Sequence, residues 1–125
     1  MTTAIPDYPS YAELRARQLA EHRARAVAAA RAAAAEAARQ GARVTVFGSL
    51  AEGRFHRDSD LDLALEWGAE GALDGSPEQL AELAEAIAAL VERHDIDADV
   101  VRLDQAPPRL AARIREHGRD PADLE

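Results

Sequence analysis

The run D-L-D-L-A-L-E at residues 60–66 constrains this chain more than any other stretch. Its period of two is the repeat of an extended strand, so Leu61, Leu63 and Leu65 share one face while Asp60 and Asp62 share the other. The leucine face has to be covered, and the aspartate face has to stay open to water or to something cationic. R-V-T-V-F at 43–47 is short and β-branched and reads as a second, buried strand that Gly48-Ser49 ends. Residues 96–103 read as a third, with Asp97, Asp99 and Val101 on one face and Ile96, Ala98 and Val100 on the other.

Helices supply the cover. Ser10 to Glu13 spells S-x-x-E, a capping box. Nothing breaks a helix from there to about residue 40, where Gly41 is a natural stop. About thirty residues at ~1.5 Å each span ~45 Å, longer than a domain of this size is wide. The helix therefore bends, breaks or projects. Its only large apolar residues are Tyr11, Leu14, Leu19 and Val27, so its outer half is expected to meet another chain. A second box, Ser76-Pro77-Glu78-Gln79, follows a loop at 68–75 and starts a helix with Leu80, Leu83, Ile87, Leu90 and Val91 on one face. Pro107-Pro108 begins a last helix carrying Leu110 and Ile114 and stopping near Gly118. The expected class is α/β (α+β): one domain over 1–125, a small mixed three-stranded sheet packed with helices. The long N-terminal helix spans about 10–40 and the core about 43–117.

Composition excludes several chemistries. All 15 basic residues are arginine, which removes phosphate-binding loops, kinases and Schiff-base enzymes that need a lysine. There is no cysteine, hence no disulfide or thiolate metal site. A net charge of −8 argues against stable direct binding to nucleic acid. With aromatics at 4%, the core is aliphatic and thin, and a partner would help to cover it. No apolar run reaches the ~20 residues of a membrane span, and residues 1–10 lack a signal-peptide pattern, so a soluble cytoplasmic protein is expected.

Asp60 and Asp62 emerge ~7 Å apart along one strand face and repel one another unless a cation sits between them. Hard cations such as Mg²⁺ suit carboxylate oxygens, and two ions ~3.5–4 Å apart can clamp the attacking and leaving oxygens of an in-line displacement. Two ions usually take a third carboxylate. Asp99, inside its strand, is preferred; Asp97, nearer the strand entry, is the fallback. Gly48 lets a phosphate approach the backbone, a helix beginning there would aim N–H groups at it, and the Ser49 hydroxyl can donate to a terminal phosphate oxygen. An ordinary helix N-cap is the plainer role for Ser49. Gly53 serves the turn of the loop. His56 reads as a solvated loop residue before a nucleotide contact, and Trp67 as a packing residue before a base-stacking one. His22, His94 and His117 have no metal-ligand spacing.

Gly-Ser, ten residues, then Asp-x-Asp resembles the signature of the polymerase-β-like nucleotidyltransferase superfamily. It is most similar to the MNT-type minimal nucleotidyltransferases, the antitoxins of HEPN/MNT toxin–antitoxin modules. The resemblance covers roughly residues 43–115, including Ala98-Asp99-Val100. It implies that Gly48 and Ser49 hold the triphosphate, that Asp60 and Asp62 ligate two Mg²⁺ ions, and that Asp99 ligates the ion nearer the acceptor. It further implies ATP as donor and a tyrosine of a HEPN toxin as acceptor, AMP addition silencing the toxin. The family often carries arginine around the positions of Leu50 and Glu52; here Arg54 and Arg57 would supply that charge. Two other readings stay open: a subunit of the same fold that neutralises its partner by binding alone, and the catalytic half of an antibiotic nucleotidyltransferase.

Overall fold

The computed structural model describes residues 9–68 and 75–124. Its centre is β2 (Leu61–Trp67), flanked by β1 (Ala42–Phe47) and β3 (Ala98–Arg102). β1 runs antiparallel to β2, with Val46 opposite Leu63 and Phe47 opposite Asp62. β3 runs parallel to it, with Asp62 opposite Asp99. A parallel neighbour requires a crossover, and α2 (Pro77–Glu92) provides it. The sheet is therefore mixed, as the alternating pattern and the helix between the second and third strands imply.

The period-two pattern sorts the two faces. Leu61, Leu63 and Leu65 are fully buried and pack with Val44 and Val46 beneath α1 (Tyr11–Arg39) and α2. On the opposite face Ala64 packs with Leu103 and Ile114, with Phe47 and Leu110 beside them, under α3 (Pro108–His117). Asp62 and Ala64 share that second face, so the aspartate lies just beyond the area that α3 covers.

α1 is one unbroken helix, started by the Ser10 capping box in both directions. It packs through alanine rather than large side chains. Ala26, Ala30, Ala33 and Ala37 recur at helical spacing and are wholly buried, which lets the helix lie close on the sheet. Its first half projects past this contact, leaving Tyr11 74% and Leu14 43% exposed. α2 begins on Ser76, reciprocally capped with Gln79, and buries Leu80, Leu83, Ile87 and Val91.

Three local readings change. The third strand is shorter than 96–103: Asp97 precedes it, its carbonyl accepting from the Leu61 N–H at 2.8 Å, and Leu103–Gln105 form a 3-10 turn that keeps Leu103 beneath α3. Within the loop at 68–75, residues 69–74 lie outside the described residues. The core also continues past residue 117. Arg119 and Val46 exchange two backbone hydrogen bonds of 2.8 Å, and buried Leu124 accepts from Arg31 at 2.6 Å through its carbonyl. Gly118 makes that approach possible, since a Cβ there would stand 2.5 Å from Thr45 Cγ2 and 2.3 Å from the Ile114 carbonyl oxygen.

Candidate active site

β1 ends at Phe47, directly opposite Asp62, and the chain must turn away at once. Gly48 does this at φ +72°, a conformation that L side chains rarely adopt. The position is closed to side chains for a second reason: a Cβ would lie 2.2 Å from Asp62 Oδ2. Glycine here brings backbone and carboxylate into direct apposition.

No helix starts after Gly48: the segment between the first two strands is a loop. The Glu52 N–H bonds the Gly48 carbonyl at 3.0 Å, one helical turn, and the Arg54 N–H then closes back on the Ser49 carbonyl at 2.8 Å. Gly53, at φ +74°, supplies the left-handed residue that ends the turn. An anion at this turn would meet a few backbone groups and side chains rather than a helix dipole. The Ser49 hydroxyl caps nothing and has no protein partner among the described residues. The rest of the loop is anchored elsewhere: Leu50 is buried in the main core, and Phe55 stacks on His22 of α1 with ring centroids 5.0 Å apart.

The three aspartates come together by register. Asp62 and Asp99 are Cα partners in the parallel pair, so they emerge side by side on one face, and Asp60 leads into β2 on that same face. Burial pushes the Asp62 carboxyl up to about 6, and the negative charges of Asp99 and then Asp60 add to the effect. None of the three carboxylates has a hydrogen bond or ion pair among the described residues. Asp97 is placed differently: it lines a cavity of about 310 Å³ with His22, Arg57, Ser59 and Glu92 on the side of α1.

Among the described residues no three acidic or histidine side chains are drawn tightly enough to form a ready-made metal site. The donor set nevertheless fits a hard divalent cation: three unpartnered carboxylates on adjacent strands, with the backbone of Gly48 against one of them.

The sequence-derived arginines separate. Arg54 stays at the turn, its Nη2 donating to Glu52 Oε2 at 3.2 Å, whereas Arg57 faces cavities on the side of α1. Sequence reasoning missed Arg113. This α3 residue donates from Nη2 to both Glu52 oxygens, at 3.0 and 3.2 Å. The only signal was Glu52 itself, an acid in a phosphate-type loop that needed a counter-charge. His56 serves its own loop, its Nδ1 accepting from the Asp58 N–H at 3.2 Å. Trp67 closes the far end of β2, against Gly75 and remote from Asp62.

Comparison with known proteins agrees with the fold. The family model for Polymerase beta nucleotidyltransferases matches residues 35–120. A solved candidate minimal nucleotidyltransferase is 27% identical and superposes with a TM-score of 0.52, covering 90% of this chain and 96% of that one. A toxin–antitoxin crystal structure with AMP-PNP is a more partial likeness, 28% identical with a TM-score of 0.45 over 62% of this chain and 57% of that one. No curated protein matches the chain.

Proposed function

This chain belongs to the Polymerase beta nucleotidyltransferase family, and we propose that it transfers AMP from ATP to a tyrosine hydroxyl of a cognate HEPN toxin, acting as its antitoxin. One observation carries the catalytic part of the reading. Asp62 and Asp99 stand in register, with Asp60 beside them, against a glycine turn where no cation among the described residues neutralises them. The half-buried Asp62 carries an ionisation penalty that a bound cation would offset.

Asp60, Asp62 and Asp99 would hold Mg²⁺ ions, which when bound neutralise phosphate charge and favour ionisation of an acceptor hydroxyl. Gly48 leaves its backbone open to the triphosphate, and the free Ser49 hydroxyl donates to a phosphate oxygen. The tyrosine oxygen forms a bond to the α-phosphorus as the bond to pyrophosphate breaks. The hydroxyl proton leaves by way of the Asp99 carboxylate to solvent. No protein–nucleotide bond forms, so positioning and charge stabilisation supply the rate.

The toxin partner rests on the likeness of the Gly-Ser and Asp-x-Asp elements to the MNT-type proteins and on the projecting half of α1, where Tyr11 and Leu14 stand exposed. That same surface favours a second reading, neutralisation by binding without chemistry. Intact-mass measurement on the co-expressed partner separates the two. The first predicts increments of one AMP that vanish with D60N/D62N; an unmodified yet neutralised partner supports the second.

A further inference from the structure

Three negative carboxylates make the mouth of this site hostile to a triphosphate unless cationic side chains also face it. The cations at the Gly48–Ser49 turn are not the ones that loop spacing suggests. Leu50 points into the core, and Arg57 lies toward α1. Arg54 and Arg113 converge on Glu52, whose own N–H is fixed to the Gly48 carbonyl. The hydrogen bond from Arg113, followed by its positive charge, helps to hold the Glu52 carboxyl below its usual range despite some opposing burial.

Arg113 commits only part of its guanidinium to this contact. Both hydrogen bonds come from Nη2, and Nε and Nη1 have no partner among the described residues. The side chain is 59% exposed, so its remaining donors are open to a ligand. A planar fork with free edges, carried by the helix that packs on Ala64 and tethered to the residue one turn beyond Gly48, suits a terminal phosphate. Arg54 reaches the same carboxylate from the other side.

We infer that Arg113, positioned by Glu52, is a triphosphate-binding residue of this site, gripping the terminal phosphates of the nucleotide donor with Arg54 beside it. The inference rests on the reading of the site as a nucleoside-triphosphate site. In it Glu52 is a positioning residue, an internal anion that aligns two guanidinium groups before the nucleotide arrives.

The test uses the full-length chain with Mg²⁺ and measures binding of a non-hydrolysable ATP analogue and of AMP. R113Q is expected to weaken the analogue about tenfold or more while AMP changes less than about twofold. E52Q weakens the tether that aligns both guanidinium groups, so analogue affinity should fall by a few-fold, clearly less than with R113Q. R115Q, on the same helix, should behave as wild type. If R113Q fails to fold in a thermal melt, R113K is measured instead; it keeps the charge but loses the fork, and a loss of severalfold confined to the triphosphate is expected. Wild-type affinity in the Arg113 variant overturns the inference, as does an E52Q loss equal to that of R113Q, which would make the contact a mere tether. Wild-type protein that fails to bind the analogue at all would overturn the nucleotide site itself, a different result from either.

Discussion

Asp62 and Asp99 sit opposite one another across the parallel β2–β3 pair, and neither carboxylate has a hydrogen-bonding or ionic partner among the described residues. Neighbouring strands are ~4.8 Å apart, so the two acids leave the sheet as close neighbours on one face. Most buried or half-buried acids in proteins are neutralised by an arginine or by backbone donors. Here the available arginines are turned to Glu52 instead. Asp62 thus stays unpaired among the described residues, beside the bare backbone of Gly48.

This arrangement has a pH signature. Asp62 in the folded chain titrates at about 6, above its ordinary value of 3.8. The folded state thus binds that proton more tightly than the unfolded state. The corresponding stability is fully present below about pH 4 and is lost as pH rises through about 6. D62N removes the penalty. In a chelator at about pH 7.5 it should raise the melting temperature by a few degrees, and near pH 4 it should change little. Solvent screening of this half-exposed group limits the gain to about 1 kcal/mol or less. Mg²⁺ should narrow the difference at the higher pH by stabilising wild type alone. A D62N protein less stable than wild type in chelator at neutral pH would contradict this account.

Gly48 and Gly53 offer a matched comparison. Both adopt positive φ, yet a Cβ at Gly53 meets nothing within 4 Å while one at Gly48 meets Asp62 Oδ2. G53A should cost about 1 kcal/mol for backbone strain alone. G48A adds the collision and should cost roughly 2–4 kcal/mol by denaturant titration. Adding D62A to G48A should recover part of the difference. Equal costs for the two glycines would show that the apposition with Asp62 is not tight.

Much of this was written in local patterns. The alternation of Asp60 to Glu66 predicted both the strand and its two faces, and the Ser10 and Ser76 boxes predicted where helices begin. The preference for Asp99 over Asp97 followed from strand position, and register places Asp99 against Asp62. Legibility ended where contacts span long stretches of chain. Nothing near Glu52 announces Arg113, and nothing near Val46 announces Arg119, because such pairings follow from packing rather than spacing. The segment after Gly48 stays a single turn for a local reason: Gly53 takes the left-handed conformation that stops it. The buried alanines from Ala26 to Ala37 let α1 lie directly on the sheet, a contact that large apolar residues alone do not mark.

The projecting half of α1 yields a prediction that separates stability from association. Tyr11 and Leu14 are the exposed large hydrophobic residues there, and Arg15 lies over the Tyr11 ring at 5.4 Å. Y11A and L14E should each leave chain stability within about 0.5 kcal/mol, as surface changes do. Both should weaken partner binding in a titration of the purified proteins. Loss of stability with partner affinity intact would place this surface in the fold rather than at an interface.

The claim that Asp62 and Asp99 form one reactive centre is tested most directly by comparing D99N with D97N. The two aspartates lie on one short segment, but only Asp99 stands beside Asp62. The measurement is transfer of labelled AMP from ATP to the partner protein in Mg²⁺. Wild type and D97N should transfer at comparable rates, while D99N should fall by about a hundredfold or more. A D99N enzyme as active as wild type, or a D97N enzyme as impaired as D99N is expected to be, would contradict the assignment.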